Sequence, residues 1–122
     1  MKKVIKKNIG SDEELLMNAF EEMIERREIM GVSEKTIINY RQTFKQFCEY
    51  FEFNSATECG EITEKTMYQW INHLRKEGLA NASINHYIRD IRTILYYMME
   101  KEYIQPFKIK CIEHQEEQLK YF

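Results

Sequence analysis

Apolar residues recur at intervals of three and four along most of this chain, which is the spacing that lines one face of an α-helix. The repeat is clearest in residues 33–51, SEKTIINYRQTFKQFCEYF, and in residues 81–104, NASINHYIRDIRTILYYMMEKEYI. Two further stretches, one before and one between these, follow the same spacing. The pattern therefore predicts an all-α protein of four amphipathic helices joined by short connections.

Polar caps and glycines predict where the helices begin and end. The expected starts are Ser11, with Glu14 completing an S-x-x-E capping box, then Ser33, Thr63, and either Asn81 or Ser83. The expected ends are Gly31, the loop over residues 53–60, Gly78 and, for ordered structure as a whole, Pro106. The chain is thereby divided into a flexible basic arm at residues 1–10, a helical domain at residues 11–106 and a linker at residues 107–122.

The apolar face of each predicted helix supplies the predicted core. The expected core residues are Leu15, Leu16, Ala19, Phe20, Met23, Ile24, Ile37, Tyr40, Phe44, Phe47, Phe51, Met67, Trp70, Ile71, Leu74, Ile84, Tyr87, Ile88, Ile91, Leu95 and Met98. Ile29 and Met30 continue the apolar face of the first helix and are further candidates. Cys48 falls on the same face and is expected to pack as a small core residue. Cys59 and Cys111 are expected to be reduced thiols at the surface or in the linker.

Composition fits one such domain and argues against several other classes of protein. With 122 residues, 43% of them hydrophobic, the chain can bury a single core. One proline and four glycines leave few turns for an all-β fold. No apolar run approaches the ~20 residues of a membrane span, and the start lacks a signal peptide, so we expect a soluble cytoplasmic protein. The three cysteines and three histidines lack ligand spacing, so neither a metal nor a cofactor is expected.

The charges are distributed unevenly, although their sum is only −2. Residues 12–30 contain seven acids and two bases, whereas the basic arm before them contains four lysines. The remainder of the chain is mildly basic. The first helix is therefore a poor surface for a nucleic acid, and the other faces of the molecule stay open to one.

Two stripes of hydrogen-bond donors accompany the apolar faces of the second and fourth helices. Donors of these types neutralise phosphates or reach the edges of bases. The candidate DNA-binding residues are Lys35, Thr36, Asn39, Arg41 and Lys45 on the second helix, and Asn85, His86, Arg89 and Arg92 on the fourth. Every soluble helix has a polar face, and from the stripes alone a merely solvated surface remains the alternative.

The order of several short motifs resembles one known family. The motifs are SEKTIINY followed by FKQF, then EITEKTMYQWINHLRKEGL, then SINHYIRDIRTILYYMMEKEYI and PF. Over residues 12–112 they resemble the core-binding domain of the tyrosine recombinases, the phage-integrase family. The resemblance implies a compact SAM-like bundle of four to five helices that clamps duplex DNA with its second and fourth helices. By position, Lys35, Asn39 and Arg89 match DNA contacts of the family.

The same resemblance sets expectations for catalysis and for partners. The family breaks and joins DNA with arginines, a lysine, histidines and a nucleophilic tyrosine in a separate catalytic domain, for which residues 107–122 would be the linker. We therefore expect no catalysis by this chain. The expected partners are double-stranded DNA and neighbouring recombinase protomers in a synaptic complex, with the isolated domain monomeric.

Two other functions are compatible with the sequence to different degrees. A helical protein–protein interaction module could use the acidic first helix or the C-terminal tail. An independent enzyme is disfavoured, because the histidines and cysteines are scattered and a glycine-rich phosphate loop is missing.

Overall fold

Four helices account for most of the residues that the structure, a computed structural model, describes, namely residues 14–113. The helices are α1 (Leu16–Ile29), α2 (Glu34–Phe51), α3 (Glu64–Lys76) and α4 (Asn81–Glu100), and a 3₁₀ turn (Cys59–Glu61) lies between α2 and α3. The all-α bundle predicted from the sequence is confirmed. The predicted arm at residues 1–10 and the last part of the predicted linker, residues 114–122, lie outside the described range.

Local hydrogen bonds and backbone angles explain most of the helix boundaries. The Ser33 hydroxyl accepts a 3.2 Å bond from the backbone N–H of Thr36 and caps α2. Thr63 begins α3 with the reciprocal bonds of a capping box. Gly31 and Gly78, which follow α1 and α3, have φ angles of +89° and +86°. A residue without Cβ adopts this left-handed conformation at little cost, so both predicted stops are confirmed.

The predicted start of α1 at Ser11 lies outside the described residues, and a helix from there is wrong because Glu14 and Leu15 are not helical. The helix begins at Leu16 and has no side-chain cap, because the backbone before it pairs with the loop that follows α2. The N–H of Leu16 donates to the carbonyl of Thr57 (2.9 Å), and the N–H of Cys59 donates to the carbonyl of Glu14 (2.8 Å). These bonds hold the entry to α1 in an extended conformation and fasten it to a segment some forty residues away.

The core surrounds α4, which contacts each of the other three helices. Its residues Ile84, Ile88, Ile91 and Leu95 are fully buried, as predicted. The face is wider than predicted, because Ile94 is also fully buried. Of the other predicted core residues, Leu15, Phe51, Ile71 and Tyr87 are half-buried. The further candidates Ile29 and Met30 are wrong, because they lie at the end of α1 with their side chains exposed.

Aromatic rings join the remaining helices. Phe20 of α1 stacks on Phe44 of α2 with centroids 4.0 Å apart. The ring edge of Phe47 in α2 meets Trp70 of α3 at 5.2 Å. These contacts fix α2 between its two neighbours.

The burial of the cysteines differs in part from the prediction. Cys48 is a core residue, as expected. Cys59 is fully buried, and its placement at the surface was wrong. The reason is the backbone pairing at the entry to α1, which draws the 3₁₀ turn against the core. Cys111 is half-buried.

Ordered packing continues past Pro106, where the prediction ended it. We call residues 107–113 the strap. Ile109 in the strap is 5% exposed, and Phe107 and Ile112 pack against the core. The strap is not helical. Its apolar side chains and its bonds to side chains of α4 make residues 107–113 part of the folded domain.

Within residues 14–113, no helix combines the length and the apolar character that crossing a bilayer requires.

Candidate functional site

The second and fourth helices meet at a seam that is marked by one polar pair. The hydroxyl of Thr43 on α2 donates a 2.8 Å hydrogen bond to Oδ2 of Asp90 on α4. The Nε2 atom of His86 lies 3.8 Å from the same oxygen. The Asp90 side chain is only 13% exposed, whereas that of His86 is 50% exposed. The Thr43–Asp90 bond therefore sits at the inner edge of the seam, and His86 lies nearer to solvent.

The two helices run past each other in opposite directions. Two adjacent arginines near the end of α1 lie over the rings of Tyr40 in α2 (5.9 Å) and Tyr97 in α4 (6.0 Å), so these tyrosines are close to the same helix end. Thr43 follows Tyr40 along α2, whereas its partner Asp90 precedes Tyr97 along α4. The two helices are therefore antiparallel. The beginning of α2 lies beside the second half of α4.

Four of the predicted donors border this seam, which we call the seam face: Lys35, Asn39, His86 and Arg89. Asn39 and Lys35 precede Thr43 by one and two helical turns, on the side of α2 that leads from the seam toward solvent. Arg89 follows His86 by three residues and is exposed. Within residues 14–113, neither Lys35 nor Arg89 forms an ion pair with a carboxylate. The seam face therefore presents two unneutralised cations.

Asn85 does not belong to this surface, and its assignment as an exposed donor is wrong. Its side chain is buried, with 5% of the residue exposed. The amide nitrogen donates to the carbonyl of Ile112 (3.0 Å), and the amide oxygen accepts from the N–H of Ile112 (2.7 Å). The strap covers this edge of α4, which the sequence pattern assigned to solvent.

Arg92 lies on the same edge as Asn85 and is half-buried. Its guanidinium donates a 3.3 Å bond to the carbonyl of Ile109 in the strap. One of its five donors is thus engaged, and the others are unaffected by this bond. Arg92 therefore supports the strap and lies away from the seam face.

Arg41 and Lys45 lie on the opposite flank of α2, toward α1. Arg41 makes two hydrogen bonds to the carboxylate of Glu21, of 2.7 and 3.1 Å. The hydrogen bond to Glu21 is the main reason that the pKa of Arg41 is raised. Lys45 lines an apolar groove of about 350 Å³ between the two helices, together with Phe20 and Phe44. Neither cation shares a surface with Lys35 and Arg89.

Thr36, predicted as a phosphate contact in the first turn of α2, takes part in the cap of that helix. Its backbone N–H donates to the Ser33 hydroxyl, and the Ser33 hydroxyl donates to that of Thr36 (3.0 Å). One of the free N–H groups at the helix start is therefore already satisfied.

The seam pair itself was missed by the sequence reasoning. Thr43 and Asp90 each sit at the border of an apolar face, and this position was the available signal. A polar residue at such a border pairs with another element or points to solvent, and the spacing within one helix does not distinguish the two. The partner lies 47 residues away.

The described residues do not form a metal-binding site. Within residues 14–113, no three histidine, cysteine, aspartate or glutamate side chains are grouped so that they could hold a metal ion.

Comparison with known protein families identifies a match. The sequence model of the family described as phage integrase SAM-like domain matches residues 15–114, which is nearly the whole described range. Comparison with curated proteins and with solved structures gives no match.

Proposed function

The chain belongs to the phage integrase SAM-like domain family, and from this membership we propose that it is a DNA-binding module of a site-specific tyrosine recombinase or integrase. The observation that carries the proposal is the seam face. Lys35 of α2 and Arg89 of α4 are exposed cations on the two helices that such a domain would use. The Thr43–Asp90 bond ties the two helices together between them.

Binding would combine charge neutralisation with a few directed hydrogen bonds. Lys35 and Arg89 would contact phosphates of duplex DNA, and the side chains of Asn39 and His86 would donate to phosphates or to base edges. The glutamates of α1 lower the net positive field of the domain. We therefore expect weak binding that falls steeply as the salt concentration rises.

We further propose that this chain supplies no nucleophile and that the recombinase's catalytic domain performs the chemistry. Support comes from two tyrosines near Glu22. Burial, followed by the Glu22 carboxylate, raises the pKa of Tyr97 from 10.0 to about 12. The same causes raise the pKa of Tyr103, whose hydroxyl donates to Glu22 at 2.9 Å. A nucleophilic phenol needs surroundings that favour its anion. The net effect of both environments is to disfavour the anion, although Arg26 lies 6.0 Å from the Tyr97 ring.

The remaining expectations follow from the same proposal. Neighbouring recombinase protomers would be the protein partners in a synaptic complex, and the isolated domain would be monomeric. The site of action would be the cytoplasm.

Reversal of charge at the seam face tests the proposal. We expect Lys35→Glu combined with Arg89→Glu to lower the affinity for duplex DNA by at least about tenfold at ~50 mM salt, because two attractive phosphate contacts become repulsive. Fluorescence anisotropy with a labelled duplex measures the effect.

A matched control separates the seam face from net charge. Lys65→Glu combined with Lys76→Glu changes the charge equally on α3, outside the proposed surface. Equal losses of affinity in both variants would mean that binding depends on net charge alone, and the seam face would have no special role. Unchanged binding in the seam variant would remove the proposed contact altogether.

A second candidate function, protein–protein interaction, is favoured by the groove between α1 and α2. Its lining is mostly apolar, including Met17, Phe20, Phe44 and Phe53, with charged residues at the rim. Formation of a homodimer would support this function. The dimer fraction should rise with protein concentration, persist at high salt and be lost in Phe53→Glu. Monomeric behaviour throughout the micromolar range would count against it.

A further inference from the structure

In the strap, exposed lysines alternate with a buried isoleucine. Ile109 is 5% exposed and packs in the core cluster, whereas its two neighbours, Lys108 and Lys110, are exposed. Residues i and i+2 of an extended segment lie on one side, about 6.6 Å apart. The strap therefore carries two cations on its outer side while its inner side holds it to the bundle.

Bonds from α4 fix where these lysines lie. The N–H of Ile109 donates to the hydroxyl of Tyr96 (3.0 Å), and its carbonyl accepts from Arg92 (3.3 Å). Lys108 and Lys110 adjoin Ile109, so both are held beside the turn of α4 that contains Arg92 and Tyr96. Arg89 precedes Arg92 by three residues on the same helix.

The resulting group of cations, which we call the strap strip, consists of Arg89, Arg92, Lys108 and Lys110. In the part of the chain that the structure describes, none of the four forms an ion pair with a carboxylate. Arg89 belongs both to the strip and to the seam face, so the two surfaces are continuous across the exposed side of α4. A chain with a net charge of −2 thus concentrates cations in one place.

We propose that the strap strip is a second contact surface for the phosphates of duplex DNA, supplied half by α4 and half by the strap. The inference rests on the proposed function and extends it to residues 108 and 110. Lysines on a segment that lies along the surface suit a regular line of phosphates, since each neutralises charge without requiring a particular base. The strip should therefore add affinity and salt dependence without sequence preference.

Asn85 is the positioning residue for this surface. Its amide makes both hydrogen bonds that hold Ile112, and Ile112 lies two residues beyond Lys110. An alanine at this position would remove both bonds and leave the backbone groups of Ile112 without these partners. The strap would then lose its attachment at Ile112 and keep the bonds of Ile109 to Tyr96 and Arg92. Lys110, which lies between Ile109 and Ile112, would be held less firmly.

Removal of the strap lysines gives the direct test. We expect Lys108→Gln combined with Lys110→Gln to weaken binding to a random-sequence duplex by about five- to tenfold at ~50 mM salt. The slope of log affinity against log salt should become shallower by about 0.9 for each phosphate that the protein no longer neutralises. Both side chains are exposed, so thermal stability should not change. The matched control, Lys65→Gln with Lys76→Gln on α3, should leave affinity and slope nearly as they are.

The role of Asn85 is tested by combination. Asn85→Ala should weaken DNA binding and abolish hydrogen-exchange protection of the Ile112 amide, while the amides of Ile88 and Ile91 stay protected. Adding Asn85→Ala to the lysine double variant should cause no further loss of affinity, because the residue acts through those lysines. Additive losses would overturn the positioning role. If Asn85→Ala does not fold, the lysine double variant still tests whether the strap strip binds DNA.

The outcomes distinguish this inference from the proposed function. Failure of the wild-type chain to bind duplex DNA at low salt would overturn both. Binding that is abolished in Lys35→Glu with Arg89→Glu but unchanged, in affinity and in slope, in the strap variant would overturn the strap strip alone.

Discussion

Raising the pH above about 9 is expected to destabilise this domain progressively, and two buried thiols are a principal cause. Burial raises the pKa of Cys48 from 9.0 to about 12, with a further contribution from Glu49. It raises the pKa of Cys59 from 9.0 to about 12 as well, with Glu14 contributing. A thiolate in either place would lack water and would lie near a carboxylate.

The sign follows from proton linkage. Between pH 9 and 12 the folded thiols keep protons that the unfolded thiols have released, so unfolding is accompanied by proton release. The stabilising contribution is complete below pH 9 and is lost as the pH rises toward 12, by about 1.4 kcal/mol per pH unit for each thiol. Tyr97 acts in the same direction above pH 10, since its pKa is raised from 10.0 to about 12.

Urea unfolding at pH 7, 9, 10 and 11, followed by circular dichroism, measures this dependence. The free energy of unfolding should be nearly constant from pH 7 to 9 and should then fall. The control is Cys48→Val with Cys59→Ala, which removes both thiols and should give a shallower decline. A constant free energy up to pH 11, or the same decline in the control, would show that the buried thiols are not responsible.

Phe47→Ala is expected to destabilise the domain by about 3–5 kcal/mol. The side chain is fully buried. Its ring meets those of Phe51 (5.2 Å), Phe53 (6.0 Å) and Trp70 (5.2 Å) in edge-on or T-shaped contacts. Truncation would remove these contacts and leave a cavity between α2 and α3 that their rigid rings cannot fill.

Chemical denaturation of the wild type and the variant gives the difference in free energy. Tyr68→Ala is the matched aromatic control, since Tyr68 is 64% exposed, and it should change stability by less than about 0.5 kcal/mol. A decrease below about 1 kcal/mol for Phe47→Ala would mean that the core adjusts around the missing ring. Rigid packing of the aromatic rings would then not be what holds α2 against α3.

The helices themselves were largely predictable, because the interactions that form them are local. The Ser33 and Thr63 caps bind backbone groups three residues away. The steps of three and four that identify Phe44 and Phe47 as buried depend on the geometry of a single helix. Family membership was also predictable, since the motifs and the gaps between them are properties of the chain.

The candidate site was only partly predictable, and Asn85 shows why. Periodicity placed it in a stripe with Arg89 and Arg92, and that spacing is correct. Its surroundings depend on Ile112, which lies 27 residues further along the chain and passes over this edge of α4. The position of a residue on a helical wheel does not show which distant segment of the chain packs over it.

Taken alone, the amino-acid sequence determined the fold class, four helices with most of their ends, most of the buried faces and the family. Tertiary packing decided which polar residues remain available to a ligand. It joined Thr43 to Asp90, paired Arg41 with Glu21, and withdrew Asn85 from solvent. The physical reason is range: capping and amphipathicity act within about one helical turn, whereas the partner of a surface donor is chosen by how distant segments meet.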